Sequence, residues 1–324
     1  MKKRVQNRIA TSRFTLWVSV AASVALWLTG GLLGPVPGLP VGASWTGAWM
    51  PFGCFLLTVQ LMAVLNNSNA LIRIYSRSVA SAFVVLMCAG NFLLGSASGA
   101  FVQLCMVLTY LLLFRTYQDR QTAGKVYYAF LCVGLTSLFC VHLLWFVPVW
   151  WLLMHYQLSS LSWRTFFASV LGVLTPYWLA LPAVVFFRRP DALAAHFATL
   201  AEVGDPLAGL AALSVNEVAF YLFVVALGLT GSIHHERKRS GDNVRIQLLY
   251  DCFMVMFAAA AVVVVILPRH YDVLVRLMVV NVAPLIAHFV TLTSTRVTNI
   301  AFHFICAAAL ALTLLSLWTP SLSF

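Results

Sequence analysis

Two connectors of this chain hold side chains suited to phosphate chemistry. One carries Arg188, Arg189, Asp191, His196, Glu202 and Asp205, and the other carries Arg269, His270, Asp272 and Arg276. Guanidinium groups beside carboxylates and imidazoles fit the docking of a phosphate or pyrophosphate with general acid/base help. Arg188, Arg189, His196, Arg269, His270, Asp272 and Arg276 are therefore the expected substrate contacts, and no catalytic residue is assigned among them. Each has a structural role open to it as well. Asp272 stands at the amino end of an apolar run, where an acid is favoured, and Arg276 follows at the spacing of an intrahelical pair. Asp191 follows Pro190 in what reads as a helix's first turn. Ser214-Val215-Asn216-Glu217 before an apolar run reads as a capping box, which gives Glu217 a structural role.

A second group lies inside apolar segments. His288 and His303 flank a turn near residue 295 at matched depth, so they are read as a possible proton-relay pair or half of a metal site. No third ligand follows from the sequence. Asp251 needs a cation partner, expected from an arginine at a neighbouring cytoplasmic end, such as Arg77 or Arg115. Asn281 with Pro284, and Pro176 with Pro182, free backbone groups that can line a cavity, although kinks alone explain the prolines. The seven cysteines all fall in or beside apolar segments, and no pair has metal-ligand spacing. Packing is their expected role, and no metal and no cofactor are expected.

The elements that position these groups are set by hydropathy. Of the 324 residues 62% are hydrophobic and 9% charged, which indicates a polytopic membrane protein. Eleven apolar segments are read at 14–33, 49–65, 79–94, 100–114, 126–141, 143–157, 165–187, 214–232, 246–267, 273–292 and 297–318. Lipid leaves no water for backbone groups and period-2 alternation is absent, so the expected fold is an all-α transmembrane bundle of about 11 spans. The stretch 126–157 is either one long helix or a hairpin. A hairpin puts 16 of the 20 basic residues on one side, leaving Arg188, Arg189, Arg269 and Arg276 on the other; a single helix gives 14 to 6. The positive-inside bias selects the hairpin, with the amino terminus cytoplasmic and the carboxyl terminus external. The same bias accounts for the net charge of +11. No loop is long enough to form a basic face for nucleic acid.

Lys2, Lys3 and Arg4 before an apolar stretch imitate a signal peptide, but the run is of spanning length and reads as an uncleaved first helix. The whole chain, 1–324, reads as one membrane domain without a fixed-period repeat. Its longest connection, 188–213, carries Leu193, Phe197 and Leu200 on one helical face and reads as an external amphipathic segment ended by Gly204-Asp205-Pro206. A loop capping the bundle is the equal alternative. Trp45, Trp49, Trp145, Trp150, Trp151, Trp163 and Trp318 fall near span ends, as interfacial rings do.

Three stretches carry a resemblance. They are Leu111-Leu112-Leu113-Phe114-Arg115; Leu161-Ser162-Trp163-Arg164-Thr165-Phe166-Phe167 on to Gly172 and Thr175-Pro176-Tyr177; and Arg269-His270-Tyr271-Asp272 through Asn281, Pro284 and His288 to Thr295-Arg296. Over roughly residues 60–310 the pattern resembles a family of multi-pass inner-membrane proteins from Bacteroidota, classed as a domain of unknown function. The resemblance implies a double-membrane bacterial envelope, so that the external side is the periplasm, and transfers no catalytic residue. Three functions are weighed. The first is transfer, polymerisation or flipping of a lipid-linked envelope precursor at the outer face. The second is a non-catalytic scaffold or assembly subunit partnered by envelope proteins. The third is a secondary transporter, which lacks a clear coupling acid at mid-depth. The first external loop, 34–48, has no carboxylate, which disfavours lipid-phosphosugar glycosyltransferases. Membrane lipid is the partner common to all three.

Overall fold

The computed structural model describes residues 5–10, 12, 14–33, 45–74, 76–186, 190–202 and 205–318. Arg188, Arg189, Gly204 and the loop at 34–44 lie outside the described residues. Among the described residues every regular element is helical. In chain order these are α1 (Val5–Ala10), α2 (Thr15–Leu33), α3 (Trp45–Asn69), α4 (Ser78–Ala89), α5 (Ala97–Phe114), α6 (Ala123–Ser137) and α7 (Phe146–Tyr156). They continue with α8 (Trp163–Phe186), α9 (Pro190–Ala198), α10 (Pro206–Ala211), α11 (Val215–Lys238), α12 (Val244–Ile266), α13 (Tyr271–Leu292) and α14 (Arg296–Trp318). Each of the eleven apolar segments overlaps one of these helices, although 79–94 runs beyond α4 into a 3-10 turn, Asn91–Leu93.

Among the described residues, seven helices are long and apolar enough to cross a membrane. Among the rest, α4 has 12 residues and α6 has 15, or about 18 and 22 Å of helix at ~1.5 Å per residue. Against a hydrocarbon core of ~30 Å such helices rely on neighbouring helices or local thinning. Most of α4 is indeed buried, held among α2, α3, α13 and α14.

The helix ends are local sequence decisions. Ser214 and Glu217 form the expected capping box at α11: the Ser214 amide donates to Glu217 Oε2 at 2.8 Å, and the Glu217 amide donates to Ser214 Oγ at 3.3 Å. Ser96 caps α5 by accepting from the Gly99 amide at 3.2 Å. Helices α8 and α13 run unbroken past Pro176, Pro182 and Pro284.

The chain reverses within 126–157. After α6 it turns at Leu138–Cys140 into a 3-10 helix, Val141–Trp145, that leads into α7. The Gln118 amide donates to the Leu158 carbonyl at 2.8 Å and Ser162 Oγ donates to the Arg120 carbonyl at 3.0 Å. Both bonds join the end of α7 to the start of α6, a pairing impossible for one long helix. Helix α8 then runs alongside α6 in the same direction. Gly134 and Gly172 allow that approach: a Cβ on Gly134 would lie 2.6 Å from the Val173 carbonyl, and one on Gly172 would lie 2.5 Å from the Tyr127 carbonyl.

The connectors divide between two ends. One end joins 66–74, 76–78, 115–122, 157–162, 239–245 and 288–295, tied by Arg73 to Asp242 at 2.5 Å, Arg245 to Asn69 at 3.1 Å and Thr291 to Ser78 at 2.9 Å. The opposite end joins 90–96, 138–142, 190–202, 205–214 and 267–272, where Phe92 packs on Phe220 and Tyr271. Every described Lys and Arg except Arg269 and Arg276 lies toward the first end.

At the centre stands α13, which is almost wholly buried, whereas α14 and α8 are largely exposed. Tyr110, Phe114, Phe253 and Trp150 pack beside it in mutual edge and tilted ring contacts. Trp150 therefore departs from its expected interfacial place; it faces the core of the bundle, fully buried against Tyr110. Trp163 remains exposed, as an interfacial anchor would.

Candidate functional site

At the end poor in basic residues, α9 and α10 fold back over two turns of the bundle. His196 of α9 donates through Nε2 to the Ser137 carbonyl at 3.0 Å, and Phe197 packs on Tyr177 of α8. Gly209 of α10 lies against Pro268, where a Cβ would come within 3.1 Å of the ring. Asp205 caps α10 by accepting from the Leu207 amide at 3.0 Å. Between these helices and the bundle is a cavity of about 390 Å³, lined by His142, His196, Glu202, Asp205, Arg269 and His270, with Cys140 at its wall.

Two turns deliver the deepest of these side chains. Cys140 and His142 leave the break between α6 and α7, and His270 ends the 3-10 turn Pro268–His270 before α13. The His142 and His270 rings are 4.6 Å apart between centroids. Both ring nitrogens of His142 are buried without a hydrogen-bond partner. That is an expensive condition for an imidazole in a native interior.

Of the expected substrate contacts, His196, Arg269 and His270 meet on this cavity, while Arg188 and Arg189 lie outside the described residues. Asp272 and Arg276 do not line it. Arg276 is 1% exposed and donates through Nε to Asp272 Oδ1 at 3.0 Å, packed against Gly99 of α5. The pair fulfils the intrahelical spacing read from the sequence.

A second cluster forms at the basic end. The Asp242 carboxylate, between α11 and α12, accepts from Arg73 Nε at 2.5 Å and from His288 Nε2 at 3.1 Å. His235 and Tyr250 stack at 4.6 Å, and both rings lie within 5.2 Å of the His288 ring centroid. His234 approaches His288 at 5.5 Å. Burial alone would raise the Asp242 carboxyl, but hydrogen bonds and charge from Arg73 and His288 hold it below the usual carboxylate range.

This arrangement corrects one sequence expectation and refines another. His288 does not face His303: it is fully buried against Asp242, whereas His303 is exposed and bonds through Nδ1 to its own helix at the Asn299 carbonyl, 2.6 Å away. Matched depth fixes only the height along two helices, and α14 turns that face outward. Asp251 pairs with Arg239 at 2.8 Å, an arginine at the expected end but neither of the two named examples, Arg77 and Arg115. The partner comes from the turn preceding its own helix. Asn281, also named from the sequence, accepts from the Tyr110 hydroxyl and donates to the Leu277 carbonyl at 2.7 Å.

Sequence reasoning missed Cys140, His142, His234, His235 and Asp242 as site members. Cys140 and His270 are far apart in the chain, so no spacing rule could join them. No family model, curated protein or solved structure matches this chain.

Proposed function

We propose that this chain is an eleven-span protein of a bacterial inner membrane that handles a lipid-linked, anionic envelope precursor at its outer face. The basic end is cytoplasmic on this reading and the cavity under α9 and α10 is periplasmic. The distribution of Lys and Arg supports that orientation. The amphipathic α9 beside the cavity suits a substrate that arrives from the bilayer. Transfer, polymerisation and flipping all need such a docking site.

The observation that carries the reading is the meeting of Arg269 with His196 and His270 on one cavity, beside Glu202 and Asp205. A guanidinium binds a phosphate through a planar fork, and the His196 imidazole and the carboxylates supply proton transfer. At about 390 Å³ the cavity is within the size range of small-molecule sites.

The test is substitution at native expression level. Arg269→Lys, His196→Gln and His270→Gln should each abolish the envelope phenotype of the wild-type gene while membrane protein levels persist, because Lys keeps charge and loses the fork. Tolerance of all three substitutions would defeat this reading. A scaffold or assembly subunit would then be the better account. One observation favours that second reading: Asp272 and Arg276, two expected substrate contacts, are already paired with each other.

A further inference from the structure

We propose that Cys140, His142 and His270 form a three-ligand site for a divalent transition metal of the zinc class, with its fourth position open to the outer cavity. The metal-binding claim stands on geometry alone; only its role in catalysis rests on the function proposed above. The Cys140 thiol and one ring nitrogen from each histidine lie within 4.8 Å of one another. Small inward movements would bring such atoms to the ~2.0–2.3 Å ligand distances of Zn²⁺. Cys140 and His142 are both buried, and the two ring nitrogens of His142 have no hydrogen-bond partner. A metal would satisfy one of them and remove the cost of leaving it bare.

The donor set fixes the class of ion. One thiolate with two imidazoles selects zinc or copper over magnesium and calcium, which take oxygen ligands. Three protein ligands beside an open cavity is the pattern of catalytic rather than structural zinc. Glu202 and Asp205 line that same cavity and offer a base or a water-mediated fourth contact. A metal there would polarise a phosphoryl oxygen. The cluster at the opposite end, His235, Asp242 and His288, is equally compact. Its carboxylate, however, already carries the Arg73 cation, which opposes a metal.

The test uses purified full-length protein in detergent, stripped with a chelator. Wild-type protein should take up one Zn²⁺ per chain in competition with a chromogenic chelator. Loading with Co²⁺ should give visible bands of tetrahedral cobalt and a near-ultraviolet thiolate-to-cobalt band. Cys140→Ser should abolish the near-ultraviolet band. His142→Gln and His270→Gln should weaken binding by more than the roughly 10- to 100-fold typical of outer-shell changes. His303→Gln should leave it unchanged. A wild-type protein that binds no stoichiometric Zn²⁺, or shows no thiolate-to-cobalt band, overturns the proposal whatever the variants do. Arg269→Lys should bind Zn²⁺ normally, so loss of phenotype in that variant concerns anion docking and not the metal.

Discussion

Arg73 and Asp242 meet across 169 positions of sequence, and they differ sharply in exposure: the Arg73 side chain is 44% exposed and that of Asp242 is fully buried. The asymmetry dictates unequal costs. Asp242→Asn leaves an arginine that can turn into water. Arg73→Ala leaves a buried carboxylate with His288 as its remaining charged-pair candidate. Stranding a buried charge costs about 3–5 kcal/mol. Arg73→Ala should therefore unfold at clearly lower temperature than Asp242→Asn, and adding Asp242→Asn should restore part of the loss. Thermal unfolding of the three variants in detergent measures this, and equal shifts for the single variants would contradict it.

The same carboxylate gives a pH dependence with a definite sign. Its folded-state pKa is held below the ordinary value, so its contribution is fully present above the unfolded carboxyl pKa of about 3.9. The contribution is lost as pH falls through the lowered folded value. Acidification from pH 6 to about pH 3 should lower wild-type stability more than that of Asp242→Asn. Parallel acid profiles would remove Asp242 from the account.

The helices were legible because lipid leaves the backbone one choice: every apolar segment became a helix, and the basic residues settled the reversal within 126–157. The capping box at Ser214 and Glu217 was legible because it is local. Pairings between helices were not. Sequence gives depth along a helix but not which neighbour its face will meet, and so His288 was matched with His303 instead of Asp242. For Asp251 the end that supplies its arginine was legible but not the residue, because the turn that returns Arg239 to it leaves no periodic trace. The Cys140, His142 and His270 cluster depends on two turns meeting at one end of the bundle. Hydropathy does not encode that contact.

Topology gives a third expectation. Ser240 is exposed in the turn after α11, and Leu207 is 78% exposed at the start of α10. With the basic end cytoplasmic, a thiol introduced by Ser240→Cys should stay unlabelled by an impermeant maleimide in intact spheroplasts and react after lysis. A thiol introduced by Leu207→Cys should react in both. The wild-type protein, whose Cys306 is exposed on α14, supplies the background. Labelling of Ser240→Cys in intact cells would invert the orientation and place the cavity in the cytoplasm.

The Asp272–Arg276 pair separates a structural arginine from a working one. Arg276 is 1% exposed, yet one of its terminal nitrogens has no hydrogen-bond partner. Its guanidinium fits only because position 99 is glycine: a Cβ there would fall 2.5 Å from Arg276 Nε. Asp272→Ala strands that charge inside the bundle and should cost about 3–5 kcal/mol, whereas replacing a buried pair with apolar groups is often neutral. The double variant Asp272→Ala/Arg276→Met should therefore be more stable than Asp272→Ala alone. Gly99→Ala should destabilise by forcing the pair apart. Because neither residue lines the cavity under α9 and α10, the double variant should also keep, on the proposed function, the phenotype that Arg269→Lys loses. If it folds normally and still loses the phenotype, Arg276 reaches the substrate in a conformation other than this one, and the pair is a latch rather than a strut.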